Sequence, residues 1–183
     1  AASAEKEYDG SALTNTGWTV ADPTEGTGLV NGDTIELVTV TGSQLYAGSS
    51  ANVPSSAVFG SGKASNYDIA YVNGTLKVND RKTKYVINAI APDEEYTYDG
   101  TEKKAEGVTF DNLTFDGVTY TVEGLSAEFV ETDAGDYTTT ISGASGIVIN
   151  AADGTGVTTL FTVDTTDTGL LKINPRPVTI TAA

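Results

Sequence analysis

The stretch EYDGS at residues 7–11, with its near copy TYDGT at residues 97–101, decides the fold of this chain. Either the two Tyr-Asp-Gly motifs belong to a shared active site, or they mark the same turn in a duplicated unit. A turn explains them without chemistry, because Asp can bond its own backbone two residues on and Gly supplies a positive φ. The aromatic ring should then pack on the core with its hydroxyl paired. The motif therefore predicts buried tyrosines at Tyr8 and Tyr98.

A second pair of segments repeats in the same order, which favours duplication. GTLKVNDR at residues 74–81 aligns with GLLKINPR at residues 169–176. The spacing of this pair is 95 residues, against 90 for the Tyr-Asp-Gly pair. Two independent anchors that agree this closely indicate two copies of one domain, with a small insertion in the second. The insertion is expected in the Gly-rich stretch near residues 141–156.

The two anchors define the predicted domains. Residues 1–79 form the first repeat domain, residues 80–174 form the second, and residues 175–183 supply the opening strand of a following repeat. Only Asn79-Asp80-Arg81 separates the last strand of the first copy from the alternating run KTKYVINAI at residues 82–90. A flexible tether is usually much longer, so an elongated arrangement with a restricted orientation is expected.

Local patterns have the period of two that is typical of β-strands. YDIAYV at residues 67–72 alternates, and the Asn73-Gly74 that follows it predicts a type I′ hairpin into residues 75–78. Asp116-Gly117 predicts a second hairpin in the same way. GSSANVPSSAVFG at residues 48–60 contains a proline and is bounded by glycines, so it is interpreted as a loop with an embedded strand.

The fold class that follows is all-β. Several short strands per copy, each ended by a Gly or Asx turn, indicate two tandem β-sandwich domains of Ig-like type. Repeats of β-grasp type are the alternative, although that fold needs a helix and no stretch of ten residues has helical spacing.

Composition limits the function. The chain has 25 acidic and 10 basic residues, a net charge of −15, and neither cysteine nor histidine. Disulfides, thiolate nucleophiles and imidazole bases are therefore excluded. The charge repels phosphate backbones, so nucleic acid is a poor partner. No apolar run approaches the ~20 residues that a membrane-spanning helix needs, so membrane insertion is not expected.

Candidate sites are few, and none is catalytic or cofactor-binding. The acidic clusters at residues 91–100 and 131–136 could hold Ca²⁺, although solvated loops explain them equally. Trp18 and the tyrosines could stack on sugars or belong to the core. Asn79 and Asn174 recur at the ends of matched strands, where an intramolecular Lys–Asn isopeptide bond would need a buried pair beside a carboxylate. Exposed turn asparagines are the alternative.

The longer motifs resemble a known family. NYDIAYVNGTLKV at residues 66–78 closes the first copy, and NPRPVTITA at residues 174–182 opens the next. With Tyr-Asp-Gly, they resemble the MBG and YDG repeat domains of large bacterial surface and secreted proteins, in which the Pro-Val-Thr-Ile-Thr segment looks like the first strand. The second copy departs from the pattern, because FTVDTTDTGLLKI at residues 161–173 lacks the Asn-Tyr and the Asn-Gly.

The resemblance implies an extracellular or cell-surface setting in a tandem array, and it supplies no catalytic residues. We expect a non-catalytic structural repeat, a stalk or spacer that projects an adhesive or functional head. Its implied partners are neighbouring repeats of the same chain, and it should otherwise be a monomer. The alternatives are an adhesin-type binding module for a host glycan or protein, and an accessory module of a secreted hydrolase.

Overall fold

The computed structural model describes residues 1–30 and 32–182 as an all-β protein, as the sequence predicts. The chain divides into two compact units, Ala1–Lys82 (unit 1) and Thr83–Ala183 (unit 2). The helices among the described residues are short 3₁₀ segments. None of the described helices is long and apolar enough to span a lipid bilayer.

Unit 1 contains a four-stranded mixed sheet. Its strands are β1 (Ala4–Glu7), β2 (Thr34–Thr41), β3 (Gly48–Ser61) and β4 (Gly74–Asn79). The order across the sheet is β1-β4-β3-β2, with β1 parallel to β4 and the other neighbours antiparallel. The first and last strands of the unit are therefore direct neighbours. Tyr8, Leu76 and Val78 are its most buried apolar side chains.

Unit 2 contains more strands, in three sheets. They are β5 (Tyr85–Ile90), β6 (Glu94–Thr97), β7 (Lys103–Glu106), β8 (Thr109–Phe110), β9 (Thr114–Phe115), β10 (Val118–Glu123), β11 (Ser126–Glu131), β12 (Gly135–Ser142), β13 (Val148–Ala151), β14 (Phe161–Asp164) and β15 (Thr168–Asn174). The sheet orders are β6-β15-β12-β11-β7, β14-β5-β8 and β13-β10-β9. In the five-stranded sheet β6 is parallel to β15, and the latter is antiparallel to β12.

The two units share one strand register. In unit 1 the parallel pair β1 and β4 sets Ala4 opposite Leu76. In unit 2 the parallel pair β6 and β15 sets Glu94 opposite Leu171. These partners are related by the same spacings of 90 and 95 residues that the sequence motifs have. The alternating residues Leu76, Val78, Leu171 and Ile173 are at most 1% exposed. The strand pairing therefore has the same spacings as the sequence motifs.

The hairpin predicted at Asn73-Gly74 is wrong, although the one at Asp116-Gly117 is confirmed. Residues 67–73 form no strand, and β4 begins at Gly74 without a positive φ. Glycine is needed there for a close approach, because an added Cβ would overlap the carbonyl group of Ala2. Asp116 and Gly117 have φ values of 48° and 77° and join β9 to β10, as a type I′ turn requires.

The prediction for residues 48–60 is also corrected, because they form one continuous strand, β3, and not a loop with an embedded strand. Pro54 lies where β3 changes partner. Residues 48–52 pair with β4, whereas Val53 and the residues after it pair with β2 through several register shifts. Proline has no N–H to donate and is tolerated at such irregular points of a ladder. Ser56, with a φ of 53°, marks the same irregularity.

Extra residues of unit 2 fall where the insertion is expected. Only residues 62–63 separate β3 from the 3₁₀ segment Ala64–Asn66, whereas residues 143–157 separate β12 from the 3₁₀ segment Thr158–Leu160. The longer connection contains β13, which pairs with β10.

Residues 175–182, predicted to open a following repeat, have no regular secondary structure, and Ala183 lies outside the described residues.

Candidate functional site

The Tyr-Asp-Gly motifs form the same hydrogen-bonded turn in both units. In unit 1 the carboxylate of Asp9 accepts the N–H and the hydroxyl of Ser11, at 2.9 and 2.8 Å. In unit 2 the carboxylate of Asp99 accepts the N–H and the hydroxyl of Thr101, at 2.9 and 2.6 Å. Gly10 and Gly100 both have a φ of 80°. The turn explanation of the motif is therefore confirmed.

Each turn carboxylate also binds a lysine, but the two lysines come from different sides of the motif. Lys6 donates to Asp9 at 2.6 Å, and Lys103 donates to Asp99 at 2.6 Å. The Lys6 hydrogen bond, followed by those from Ser11, holds the pKa of Asp9 well below its usual range. The Lys103 hydrogen bond, followed by those from Thr101, does the same to the pKa of Asp99.

These depressed pKa values predict a loss of stability in acid. A carboxyl whose pKa is lower in the folded state stabilises the fold fully above its unfolded-state pKa, about 3.9, and less as the pH falls below it. We expect the double variant Asp9→Asn, Asp99→Asn to lose less stability than the wild type between about pH 4 and pH 2. Urea midpoints measured across this range test the difference.

The control for the acid experiment is Asp22→Asn, which removes an exposed acidic residue from the loop between β1 and β2. It keeps both Tyr-Asp-Gly turns intact, so the acid sensitivity that the two turns cause should remain. If the double variant and the wild type lose the same stability in acid, the two turns do not contribute to the pH dependence. The effect itself should be small, because exposed ion pairs stabilise proteins only weakly.

Burial of the motif tyrosine differs between the units, so the prediction for Tyr98 is wrong. Tyr8 is 1% exposed and stacks on Tyr46 with ring centroids 6.2 Å apart, whereas Tyr98 is 37% exposed. Tyr46 lies in the connection between β2 and β3, residues 42–47. The corresponding connection between β11 and β12 is only residues 132–134, which leaves no comparable side chain to cover Tyr98.

Asparagines at the ends of β4 and β15 belong to a repeated exposed cluster. Asn79 donates its side-chain amide to Glu5 at 2.6 Å, and Lys77 lies 3.1 Å from the same carboxylate. The cluster returns in unit 2 as Asn174, Glu95 and Lys172, with distances of 2.7 and 3.8 Å to the glutamate. The lysine and glutamate side chains are 43–65% exposed. An isopeptide bond needs a buried pair, so these contacts fit a surface ladder between parallel strands.

Carboxylates of the two acidic clusters accept hydrogen bonds from backbone N–H groups. Asp93 accepts the N–H of Leu170 at 2.7 Å, and Glu131 accepts the N–H of Thr132 at 2.8 Å. Among residues 1–30 and 32–182 there is no group of three or more acidic side chains placed to hold a metal ion. The structure thus does not bring the predicted Ca²⁺ ligands of residues 91–100 or 131–136 together.

An open apolar groove lies in unit 1. Its volume is about 490 Å³. Trp18 is half-buried and lines it. Other large apolar side chains of the lining include Leu29, Ile35, Val38, Pro54, Phe59, Tyr67, Ile69 and Tyr71. The alternating run YDIAYV could have indicated it, because a strand-like segment without a strand partner leaves one side open.

The wall of the groove is fixed by tyrosine hydroxyls. Tyr67 stacks on Phe59 with ring centroids 5.4 Å apart and donates its hydroxyl to Asp33 at 2.7 Å. Tyr71 accepts the N–H of Ala57 at 2.8 Å. These bonds tie the segment after the 3₁₀ turn to β3 and to the start of β2. The groove is therefore built from ordered side chains and is not merely a gap between loops.

Comparison with known proteins identifies the type of unit 1. Residues 1–77 match the family model described as MBG domain (YGX type). No curated protein and no solved structure matches the chain. The matched residues extend from the N-terminal segment into β4 and include the Tyr-Asp-Gly turn and the groove. Residues 1–77 of this chain are therefore a repeat domain of the MBG type.

Proposed function

We propose that the chain is a non-catalytic structural repeat, a stalk or spacer of a large bacterial cell-surface or secreted protein, and that unit 2 is a second repeat of the same type. The observation that carries the proposal is a parallel pairing that both units share in one register: the strand before the Tyr-Asp-Gly turn pairs with the last strand of the unit, β1 with β4 and β6 with β15. The same turn follows β1 and β6, with Tyr8 donating its N–H to Asn79 at 2.9 Å and Tyr98 to Asn174 at 2.8 Å.

Parallel terminal strands suit a domain that bears tension. When a chain is pulled from its two ends, β1 is drawn one way along its axis and its parallel neighbour β4 is drawn the opposite way. Hydrogen bonds of a ladder lie across the strands, so this force shears all of them together. The exposed cluster of Glu5, Lys77 and Asn79 adds side-chain contacts across the same pair. A spacer between a cell and its target would experience such a load.

Force spectroscopy tests the proposal on the intact chain. In one geometry unit 1 is pulled from its two ends, and in the other it is pulled through the cysteines of Thr34→Cys and Lys63→Cys. The unfolding force should be several-fold larger in the first geometry. These attachment points lie at the open end of the antiparallel pair β2 and β3, where Thr34 is opposite Ser61. Pulling them apart breaks the ladder one bond at a time. The natural chain has no cysteine, so the attachment is unambiguous.

Two results would count against the spacer. Equal unfolding forces in the two pulling directions would remove the mechanical argument. Specific binding of a polysaccharide or host protein by the natural chain in calorimetry would favour the adhesin-type module. The setting that we propose is extracellular, with neighbouring repeats of the same chain as partners.

We also propose a two-sheet sandwich as the architecture of each repeat. The support comes from unit 2, where aromatic rings of different sheets meet. Tyr85 of β5 lies 4.7 Å from Phe115 of β9, and Tyr120 of β10 lies 4.8 Å from Phe161 of β14, measured between ring centroids. Such contacts are those of two sheets that face each other across a core.

A further inference from the structure

In unit 2 a complete strand covers the segment that follows the last 3₁₀ turn. The turn Thr158–Leu160 leads into β14, and β5 lies parallel to β14. Tyr85 is opposite Phe161, and Ile87 is opposite Val163. Ile87 is fully buried, and Phe161 is only 5% exposed. Strand β5 thus closes the apolar face of this part of the unit.

The described residues of unit 1 have the same local structure, and among them no strand covers it. The 3₁₀ turn Ala64–Asn66 leads into Tyr67, which has φ −128° and ψ 144°. Phe161, which follows the turn of unit 2, has φ −122° and ψ 156°. Each of these residues donates its N–H to the first residue of its turn, so Tyr67 and Phe161 are equivalent. Within the described part of unit 1, no strand pairs with the residues that follow Tyr67.

The uncovered segment forms one side of the groove. Tyr71 and Val72 are 42% and 74% exposed, and the apolar lining continues through Trp18, Val38 and Phe59. An extended segment with free ladder positions beside an apolar cleft is the feature to which an additional β-strand binds. Backbone hydrogen bonds provide affinity in that mode, and pockets for alternate side chains provide specificity.

A matching strand is present in the chain itself, after β15. Asn174-Pro175-Arg176 follows β15 as Asn79-Asp80-Arg81 follows β4, and the spacing of 95 residues sets Ile180 at the position of Tyr85. Val178 and Ile180 are 82% and 93% exposed. Along residues 177–182, Val178, Ile180 and Ala182 alternate with threonines, which gives one apolar and one polar face.

We propose that the groove of unit 1 binds residues 177–182 of a second copy of this chain as an added β-strand. The strand lies parallel to Tyr67–Ala70, with Ile180 opposite Tyr67, as β5 lies beside β14. Pro177 is its first residue, where the missing N–H is tolerated. The contact joins two different surfaces, so each copy can donate one strand and accept another, and association can continue into rings or open chains. This proposal differs from the monomer expected from the sequence and does not depend on the mechanical role proposed above.

Sedimentation of the full chain at increasing concentration tests the assembly. Physiological salt is required, because each copy carries a net charge of −15 and unscreened repulsion would oppose association. We expect the mean mass of the natural chain to rise with concentration. Ile180→Lys should abolish the rise, because it places a charge on the face that enters the groove. The matched control Thr179→Lys places the same charge on the opposite face and should retain association.

A peptide locates the contact. The peptide RPVTITAA, which is residues 176–183, should dissociate the assemblies and shift the amide resonances of residues 67–70. The same peptide with Ile180→Lys should do neither. Because Ile180 is exposed in the single chain, the Ile180→Lys protein should retain its thermal midpoint, which separates a lost contact from a lost fold.

The outcomes decide the proposal as follows. A chain that remains monomeric at every concentration overturns it. Assembly that persists in Ile180→Lys, or that is lost equally in Thr179→Lys, overturns it as well, since the alternating faces would then have no role. Resonance shifts by the peptide that lie away from residues 67–70 would show that the groove is not the acceptor.

Discussion

Replacing Tyr8 with alanine should destabilise unit 1 by about 3–5 kcal/mol, as for truncation of a fully buried aromatic side chain. Tyr8 is 1% exposed and its ring stacks on Tyr46. Its removal therefore leaves a cavity and removes the ring contact of Tyr46. Tyr98→Ala at the matched position of unit 2 should cost less than about 1 kcal/mol, because that side chain already lies partly in water. Urea denaturation monitored by residue-resolved NMR gives the two values separately.

Tyr8→Phe is the control for this comparison. It retains the ring and its stacking, so most of the stability should be kept. Equal costs for Tyr8→Ala and Tyr98→Ala would mean that the two turns have the same environment and that the length of the neighbouring connection does not matter. A shortened connection 42–47 in unit 1 should, conversely, make Tyr8 as tolerant of substitution as Tyr98.

The two tyrosines show what a short motif can and cannot predict. Hydrogen bonds of the Tyr-Asp-Gly turn are local, since Asp9 and Asp99 bond residues two positions on, and the sequence predicts them correctly. Burial of the tyrosine depends on residues 42–47, which are distant in sequence. The identical triplet therefore has the same backbone and a different environment.

The strand pairing, too, was only partly predictable from the sequence. The spacing of the two anchors predicts that Leu76 and Leu171 are equivalent, and both are fully buried. Pro54 and Asn73-Gly74 mislead, because proline and glycine have several structural uses that a single sequence does not distinguish. Pro54 lies where β3 changes partner, and Gly74 makes room for the backbone carbonyl of Ala2.

The groove of unit 1 was missed for a related reason. The alternating run at residues 67–72 indicates a strand, and such a run normally finds a partner within its own domain. Its counterpart in unit 2 pairs with β5, which immediately follows the first repeat in sequence. That β5 covers the segment after the 3₁₀ turn of unit 2 is visible only when the two units are compared.

Gly169→Ala and Gly74→Ala should each destabilise their unit by about 2–4 kcal/mol, through overpacking and a strained or broken buried hydrogen bond. An added Cβ at Gly74 would overlap the carbonyl of Ala2, and one at Gly169 would overlap the carbonyl of Pro92. Moving these carbonyl groups away would disturb hydrogen bonds in both units. In unit 2 the residues on either side of Pro92 are held, because Ala91 donates its N–H to Asp167 at 3.0 Å and Asp93 accepts the N–H of Leu170 at 2.7 Å. The carbonyl of Ala2 accepts a hydrogen bond from the buried amide of Asn52 at 2.9 Å, and the N–H of Ala2 donates to a backbone carbonyl at 2.8 Å.

Gly146→Ala is the matched control, because no atom lies within 4 Å of its added Cβ and its φ is not positive. Its effect should be within about 0.5 kcal/mol, typical of surface positions. Thermal and urea unfolding of the three variants give the comparison. If Gly74→Ala and Gly169→Ala behave like Gly146→Ala, the close approach is not essential. If they differ from it together, one constraint explains why both copies place glycine at the start of the strand that pairs in parallel with the first. That constraint would also account for the failure of the hairpin prediction, since a glycine selected for space needs no positive φ.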